Sequence, residues 1–272
     1  MNRFLFRSGL TLLCCVFIAQ VSPVRAEAAV LIAQKSGTAQ AGRLFQAGNR
    51  LYREGAREGN AVPLLQALEL WAEALSIYES ADAVNDQAAT LLASGRAYTL
   101  LGEEEKALEH FNQALTLSRA ADNREMEAIT LNNMGLIYNA AGELDRALTY
   151  YNQSLPLSRE VGNRAGVATT LNNISEVYAT LGENERTVEY LNQVLPLSRE
   201  MGDDAGTVRT LGSLAAISQN QGNFSDALTH INDAIALIEN LEDELGTDEL
   251  STAYLATVQD YYQLQQNLLT QS

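Results

Sequence analysis

Cysteine is almost absent from this chain, because Cys14 and Cys15 are the only two among 272 residues. No disulfide framework and no cysteine-based zinc site can therefore form downstream of them. Basic residues are also scarce, since 18 Lys and Arg stand against 34 Asp and Glu for a formal net charge of −16. Such a chain is a poor partner for a nucleic-acid phosphate backbone. A hydrophobic content of 46% still indicates a globular protein, long enough to bury a sizeable core.

Residues 1–26 are typical of a secretory signal peptide. Arg3 and Arg7 give a positive start, and the apolar stretch Leu10–Val21 follows them. That stretch is about a dozen residues long, whereas a membrane-spanning helix needs ~20. A single-pass anchor is the alternative. The sequence predicts an exported protein, periplasmic or secreted, with a flexible linker over residues 27–40.

A forty-residue repeat organises the rest of the chain. Each unit carries two helical patterns, and in one of them Leu131, Met134 and Tyr138 are spaced three and then four residues apart, on one helix face. Gly142 follows, where positive φ without a Cβ penalty ends a helix. Because two helices cannot bury both their apolar faces alone, the units are expected to stack into a solenoid.

The residue types resemble the tetratricopeptide repeat (TPR), at a period longer than its usual 34 residues. Small residues such as Gly135 and Ala147 let two helix backbones pass closely, and an aromatic residue follows at Tyr151. The resemblance implies an all-α, right-handed α-solenoid of about five helix hairpins plus a C-terminal capping helix. Helical pairs of the HEAT or armadillo type are the alternative. The structural positions assigned to this framework are Gly102, Gly142, Gly182, Gly222, Ala107, Ala147, Ala227, Tyr98, Tyr138 and Tyr178.

The predicted array covers residues 41–242, and a capping helix with a tail covers 243–272. Its units fall near 41–80, 88–120, 128–160, 168–200 and 208–240. The first unit has seven extra residues between Gly48 and Ala67, which predict an enlarged turn. Pro156 and Pro196 predict a bend in their helices, or the ends of those helices.

Leu250–Tyr262 resembles the segment that follows forty-residue repeats in cyanobacterial TPR–CHAT proteins. In that family a caspase-like peptidase domain with a His and a Cys comes next. The chain has no cysteine after Cys15, so we expect the peptidase to be absent. The resemblance implies an alternative function, as a regulatory or decoy relative that acts with a separately encoded catalytic partner.

The sequence predicts no enzyme activity, no cofactor and no metal. His110 and His230 lie at equivalent positions three units apart, where they cannot converge on one ion. Lys35 and Lys106 are the only lysines, too few for the basic clamp with which some TPR proteins hold a peptide carboxylate. The arginines Arg119, Arg159 and Arg199 recur late in the second helices, where they either complement the helix C-terminus or form a ladder for a partner.

The first helices of the units are expected to line a concave wall. In the resembled family the asparagine two residues after the large apolar position often binds the backbone of an extended peptide, which points to Asn133 and Asn173. The alternative is that the asparagines form hydrogen bonds between repeats. We predict a scaffold that binds a protein or peptide and no nucleic acid, and the sequence leaves its oligomeric state open. The candidate peptide-binding residues are Asn132, Asn133, Asn139, Asn172, Asn173, Arg96 and Arg209.

Export is tested by the mass of the N-terminus. Protein recovered from the extracytoplasmic fraction of its native cell should begin after Ala26 or Ala28, because small residues precede both positions. Intact-mass spectrometry measures this. Recovery only from the cytoplasm, with residues 1–26 still attached, would contradict the signal-peptide hypothesis.

Overall fold

The computed structural model describes residues 23–245 and 252–271, with side chains over 37–240 and 259–270. Every regular element in these ranges is an α-helix, which confirms the all-α class. The chain divides into two compact units, Met1–Leu101 and Gly102–Ser272. Most of the predicted signal peptide and the turn before the capping helix lie outside the described residues. Within the described ranges, no helix combines the length and apolar character needed to cross a membrane.

The first unit contains α1 (Pro23–Glu58), α2 (Ala61–Ser80) and α3 (Val84–Leu100). Its core forms around Trp71 of α2, which is 1% exposed. The Trp71 ring packs against Phe45 and Tyr52 of α1, and its Nε1 donates a hydrogen bond to the Phe45 carbonyl at 3.2 Å. The indole thus satisfies its single donor while it buries a large apolar surface.

Two predictions about this first unit are wrong. Residues 27–40, predicted as a linker, lie within the continuous helix α1. The connection between α1 and α2 is only Gly59 and Asn60, so the seven extra residues do not enlarge a turn. Seven residues add about two helical turns, and whole turns keep the packing faces in register. Pro63 lies in the first turn of α2, where its missing N–H is not needed.

Over its described residues the second unit contains eight helices, and each packs mainly against its neighbours in the chain. Leu268 of the last helix is fully buried in a cluster with Ile231 and Ile235, which confirms the predicted capping helix. The helices are α4 (Glu104–Ala120), α5 (Arg124–Ala140), α6 (Leu144–Glu160), α7 (Arg164–Thr180), α8 (Asn184–Met201), α9 (Asp204–Asn220), α10 (Phe224–Leu245) and α11 (Thr252–Gln271).

Helix ends in the second unit follow the predicted turn chemistry. Gly142 has φ of +75°, and its N–H donates to the Asn139 carbonyl at 3.0 Å. The next N–H, of Glu143, donates to the Tyr138 carbonyl at 2.8 Å, so the carbonyls at the end of α5 are satisfied. The first helix of the next repeat, α7, has Asn163 as its N-cap. The Asn163 side chain accepts a hydrogen bond from the Gly166 N–H.

Helices α6 and α8 continue past their prolines. Pro156 and Pro196 each lie inside a helix, so the interpretation that the helices end there is wrong. Both prolines are exposed. The carbonyl that each leaves without an N–H donor can therefore bind water, which makes the missing bond tolerable.

We predict that Gly142→Val destabilises the protein by more than about 1 kcal/mol, because a β-branched residue is strained at positive φ. Nothing lies within 4 Å of a Cβ added there, so backbone strain is the only cost expected. Urea denaturation followed by circular dichroism measures the change. Gly142→Asn is the control, because asparagine tolerates this region better. Equal stability of wild type and the valine variant would contradict the turn assignment.

Candidate functional site

The junction between α5 and α7 is closed by a side-chain hydrogen-bond network. Asn132 Oδ1 of α5 accepts from Asn173 Nδ2 of α7 at 3.0 Å. Thr170 Oγ1 of α7 lies 3.2 Å from the same oxygen and 2.8 Å from the Gly166 carbonyl, so its one proton is shared between two acceptors. Thr170 is 1% exposed, so this network lies at the buried edge of the junction. The hypothesis of hydrogen bonds between repeats is therefore confirmed for Asn132 and Asn173, and we assign Asn132 to packing.

Within the described residues, the next junction, between α7 and α9, has no such side-chain hydrogen bond between its helices, although its residues occupy equivalent positions in the repeat. Asn172 stands where α5 has Asn132, but Ser213 replaces Asn173 and is too short to span the gap. The hydroxyl of Thr210 donates to the Gly206 carbonyl of its own helix at 2.8 Å, as the equivalent Thr170 does to the Gly166 carbonyl. Within the described chain the Asn172 side chain makes no hydrogen bond, and a groove of about 640 Å³ opens beside it.

We call this feature the α7–α9 groove. One wall is formed by Asn172, Asn173 and Glu176 of α7, and the other by Arg209 and Ser213 of α9. Thr187 and Leu191 of α8, both almost fully buried, form its floor.

The charged groups of this groove have opposite signs. Glu176 on α7 and Arg209 on α9 are both exposed, so each can meet a partner's charge. The free amide of Asn172 offers two N–H donors and one acceptor, which match the backbone of an extended chain. The arrangement suits polar recognition.

Two tyrosines interact with charged residues of the α7–α9 groove: Tyr151 is buried and Tyr261 is half-buried. Burial raises the pKa of the Tyr151 hydroxyl, and the nearby carboxylate of Glu176 raises it further. Burial also raises the pKa of Tyr261 of α11, whereas the Arg209 guanidinium acts in the opposite direction. The Tyr261 hydroxyl donates to the Val208 carbonyl at 3.3 Å, so the capping helix holds the part of α9 that carries Arg209. Both hydroxyls stay neutral at ordinary pH.

Of the candidate residues, the structure brings Asn172, Asn173 and Arg209 into one groove. Asn133 instead donates to the Ile129 carbonyl of its own helix at 2.7 Å, and Asn139 is half-buried near the end of α5. Arg96 belongs to the first unit, where its guanidinium lies 5.8 Å from the centre of the Tyr52 ring.

Sequence reasoning missed Glu176 and Ser213 as residues of the groove. The signal for Ser213 was present, because it stands forty residues after Asn173 and breaks the asparagine pattern. Glu176 falls on the same face of α7 as Asn172 and Asn173, at helical spacings of four and three.

The repeated arginines contact the following repeat. Arg159 donates to Gln193 Oε1 at 3.1 Å, and Arg199 pairs with Asp233 at 3.3 Å. Each of these bonds joins one second helix to the next, 34 residues further along. Both arginines also lie in the last turn of their helices, the position that the helix C-terminus interpretation requires.

Residues 126–200 and residues 88–120 each match a family profile described as tetratricopeptide repeat. The chain therefore contains tetratricopeptide repeats, as its residue pattern indicates. No curated protein matches the chain in sequence.

Solved structures share this fold at low sequence identity. BtubC from P. vanneervenii is 21% identical with a TM-score of 0.57, over 77% of this chain and 92% of its own. A putative kinesin light chain from Podosopora anserina is 17% identical with a TM-score of 0.58, over 75% and 98%. A Rap protein complexed with competence and sporulation factor is 16% identical with a TM-score of 0.58, over 86% and 66%. These likenesses establish a shared fold.

We predict that Asn132→Ala lowers the free energy of unfolding by about 1 kcal/mol, since it leaves the Asn173 amide without its acceptor on α5. Chemical denaturation measures this. Asn133→Ala is the matched control, because that side chain bonds only within its own helix. If both variants lose the same stability, the hydrogen bonds across the junction have no special role.

Proposed function

We propose that the protein is an exported, non-catalytic TPR scaffold that binds an extended segment of a partner protein in the α7–α9 groove. One observation carries the proposal. The Asn172 amide has no partner within the described residues, at a position where the preceding junction is closed by Asn132 and Asn173. The groove therefore presents hydrogen-bonding groups that the fold itself leaves unused.

The chemistry of the walls defines how a partner segment would be held. Asn172 pairs with an N–H and a carbonyl of the partner backbone, which gives affinity without a demand on sequence. Arg209 pairs with a carboxylate, and Glu176 pairs with a basic side chain. Sequence preference then comes from the two charges on opposite walls.

The comparisons support this kind of role at the level of the fold. The Rap protein of similar fold was solved in complex with competence and sporulation factor. The exported location in this proposal rests on the composition of residues 1–26. The relation to TPR–CHAT proteins stays a prediction, which recovery of a CHAT peptidase as the partner would favour.

The test uses pull-down from an extracytoplasmic fraction with quantitative mass spectrometry. Asn172→Ala combined with Arg209→Gln should reduce recovery of the specific partner at least about tenfold, the equivalent of ~1.4 kcal/mol. Loss of one hydrogen-bond donor pair and one charged contact accounts for a change of this size.

Asn133→Ala is the matched control, since it removes an asparagine amide outside the α7–α9 groove. It should recover the partner at the wild-type yield. If the double variant and the control recover the same proteins equally, the groove is not the binding site. Circular dichroism of both variants verifies that they remain folded.

A further inference from the structure

A second groove lies between α6 and α8, and neither Asn172 nor Asn173 is among its lining residues. It has a volume of about 590 Å³. We call it the α6–α8 groove and define it by Ser158, Arg159, Arg164, Val167, Pro196 and Leu197, which line it together with a few neighbours. Its two arginines are exposed, and Val167 is 7% exposed.

The preceding repeat shows what the same arginine pair does when an acid is present. Arg119 and Arg124 stand forty residues before Arg159 and Arg164. Both contact one carboxylate, that of Glu127, whose side chain is 7% exposed. Arg119 Nε lies 2.7 Å from one oxygen, and an Arg124 guanidinium nitrogen lies 3.2 Å from the other. Each oxygen of Glu127 therefore accepts from a different guanidinium.

In the α6–α8 groove the arginines remain but the acids are gone. Val167 stands where the preceding repeat has Glu127. Gly162 stands where it has Asp122, which also pairs with Arg124 at 3.2 Å. The two cations are thus retained without the carboxylates that balance them one repeat earlier.

Their present contacts leave donors available. Arg164 pairs with Glu200 at 3.0 Å, and Arg159 donates to the neutral amide of Gln193 at 3.1 Å. Among the described residues that line the groove, Glu200 is the single acid, so the groove keeps a net positive charge. A guanidinium has five donors, and one bond to each arginine does not exhaust them.

The floor of the groove is apolar apart from one hydroxyl. Val167, Leu171 and Leu197 contribute aliphatic surface beneath the arginines. Ser158 is 3% exposed and lines the groove, and within the described chain its hydroxyl makes no hydrogen bond. The equivalent Ser118 donates to the Ala114 carbonyl at 2.7 Å.

We propose that the α6–α8 groove binds a small organic monocarboxylate with an apolar body. The ligand carboxylate takes the place that the Glu127 carboxylate has one repeat earlier, between Arg159 and Arg164. Its apolar body lies on Val167, Leu171 and Leu197. The volume of about 590 Å³ falls in the range of small-molecule sites, which favours this occupant over a protein helix.

The test compares three probes by calorimetry and by NMR chemical-shift titration. 4-Phenylbutyrate carries both the charge and the apolar body, 4-phenylbutanol lacks the charge, and acetate lacks the body. 4-Phenylbutyrate should bind with a Kd of about 1 mM or tighter, and each of the other probes at least about tenfold more weakly.

Three variants assign the binding to the groove. Arg159→Gln with Arg164→Gln should weaken 4-phenylbutyrate at least about tenfold, equivalent to ~1.4 kcal/mol. Arg199→Gln is the matched control, because it removes the equivalent arginine of the next repeat, and it should leave binding unchanged. Val167→Glu supplies the carboxylate from the chain itself and should abolish binding, as Glu127 would.

Three results would overturn the proposal: no saturable binding of 4-phenylbutyrate, equal affinity for 4-phenylbutanol, or full affinity in the Arg159→Gln, Arg164→Gln variant. The arginine variant changes only exposed side chains, so the test stands even if Val167→Glu does not fold. The Asn172→Ala, Arg209→Gln variant should keep full affinity for the probe. This outcome is independent of whether the α7–α9 groove binds a partner.

Discussion

The close passage of helix backbones under large side chains is the constraint on which the second unit depends. The Tyr151 ring lies directly over Gly135, and any Cβ at that position would overlap the ring. Tyr151 and Ile174 are completely buried in one cluster that joins α6 and α7. Burial of side chains of this size stabilises the fold by roughly 1.5–3 kcal/mol each. No helix pair can bury these groups alone, so each pair needs the next one.

This packing fixes the positions of the helices, whereas the residues at the surface between repeats can differ from one repeat to the next. Asn173 closes the junction between α5 and α7, whereas the equivalent Ser213 leaves the junction between α7 and α9 open. The large fully buried residues around both positions are apolar. Exchange of Glu127 for Val167 removes a carboxylate but keeps two arginines. The junctions therefore differ at a few positions at the edges of an almost constant core.

The sequence predicts the helical framework well, because the spacing of the apolar residues reflects which helix faces pack together. The turn at Gly142 and the capping helix follow from spacing and from the need to cover the last apolar face. The enlarged first turn was wrong, because seven residues added to a helix and seven added to a loop look alike in a spacing argument. The linker was wrong because α1 runs without a break through residues 27–40. Only the structure shows that α1 continues to Glu58.

The binding residues were harder to predict because identical residues have different environments. Asn132 and Asn172 occupy equivalent positions in the same three-residue string, yet Asn132 accepts a hydrogen bond from the next repeat and Asn172 accepts none within the described chain. What separates them is the residue about forty positions later, Asn173 or Ser213. A prediction made from one repeat at a time cannot include this difference, since it depends on residues of two adjacent repeats.

Helix α7 contributes to both proposed sites, through residues that are neighbours in the chain. Leu171 lines the α6–α8 groove, whereas Asn172 lines the α7–α9 groove, because successive residues of a helix point about 100° apart. A ligand in one groove can alter the other only if it favours a different position of α7. Ile174 and Val177 of α7 are completely buried, so a shift of this helix would disrupt close packing on both sides. We therefore expect ligands in the two grooves to bind independently of each other.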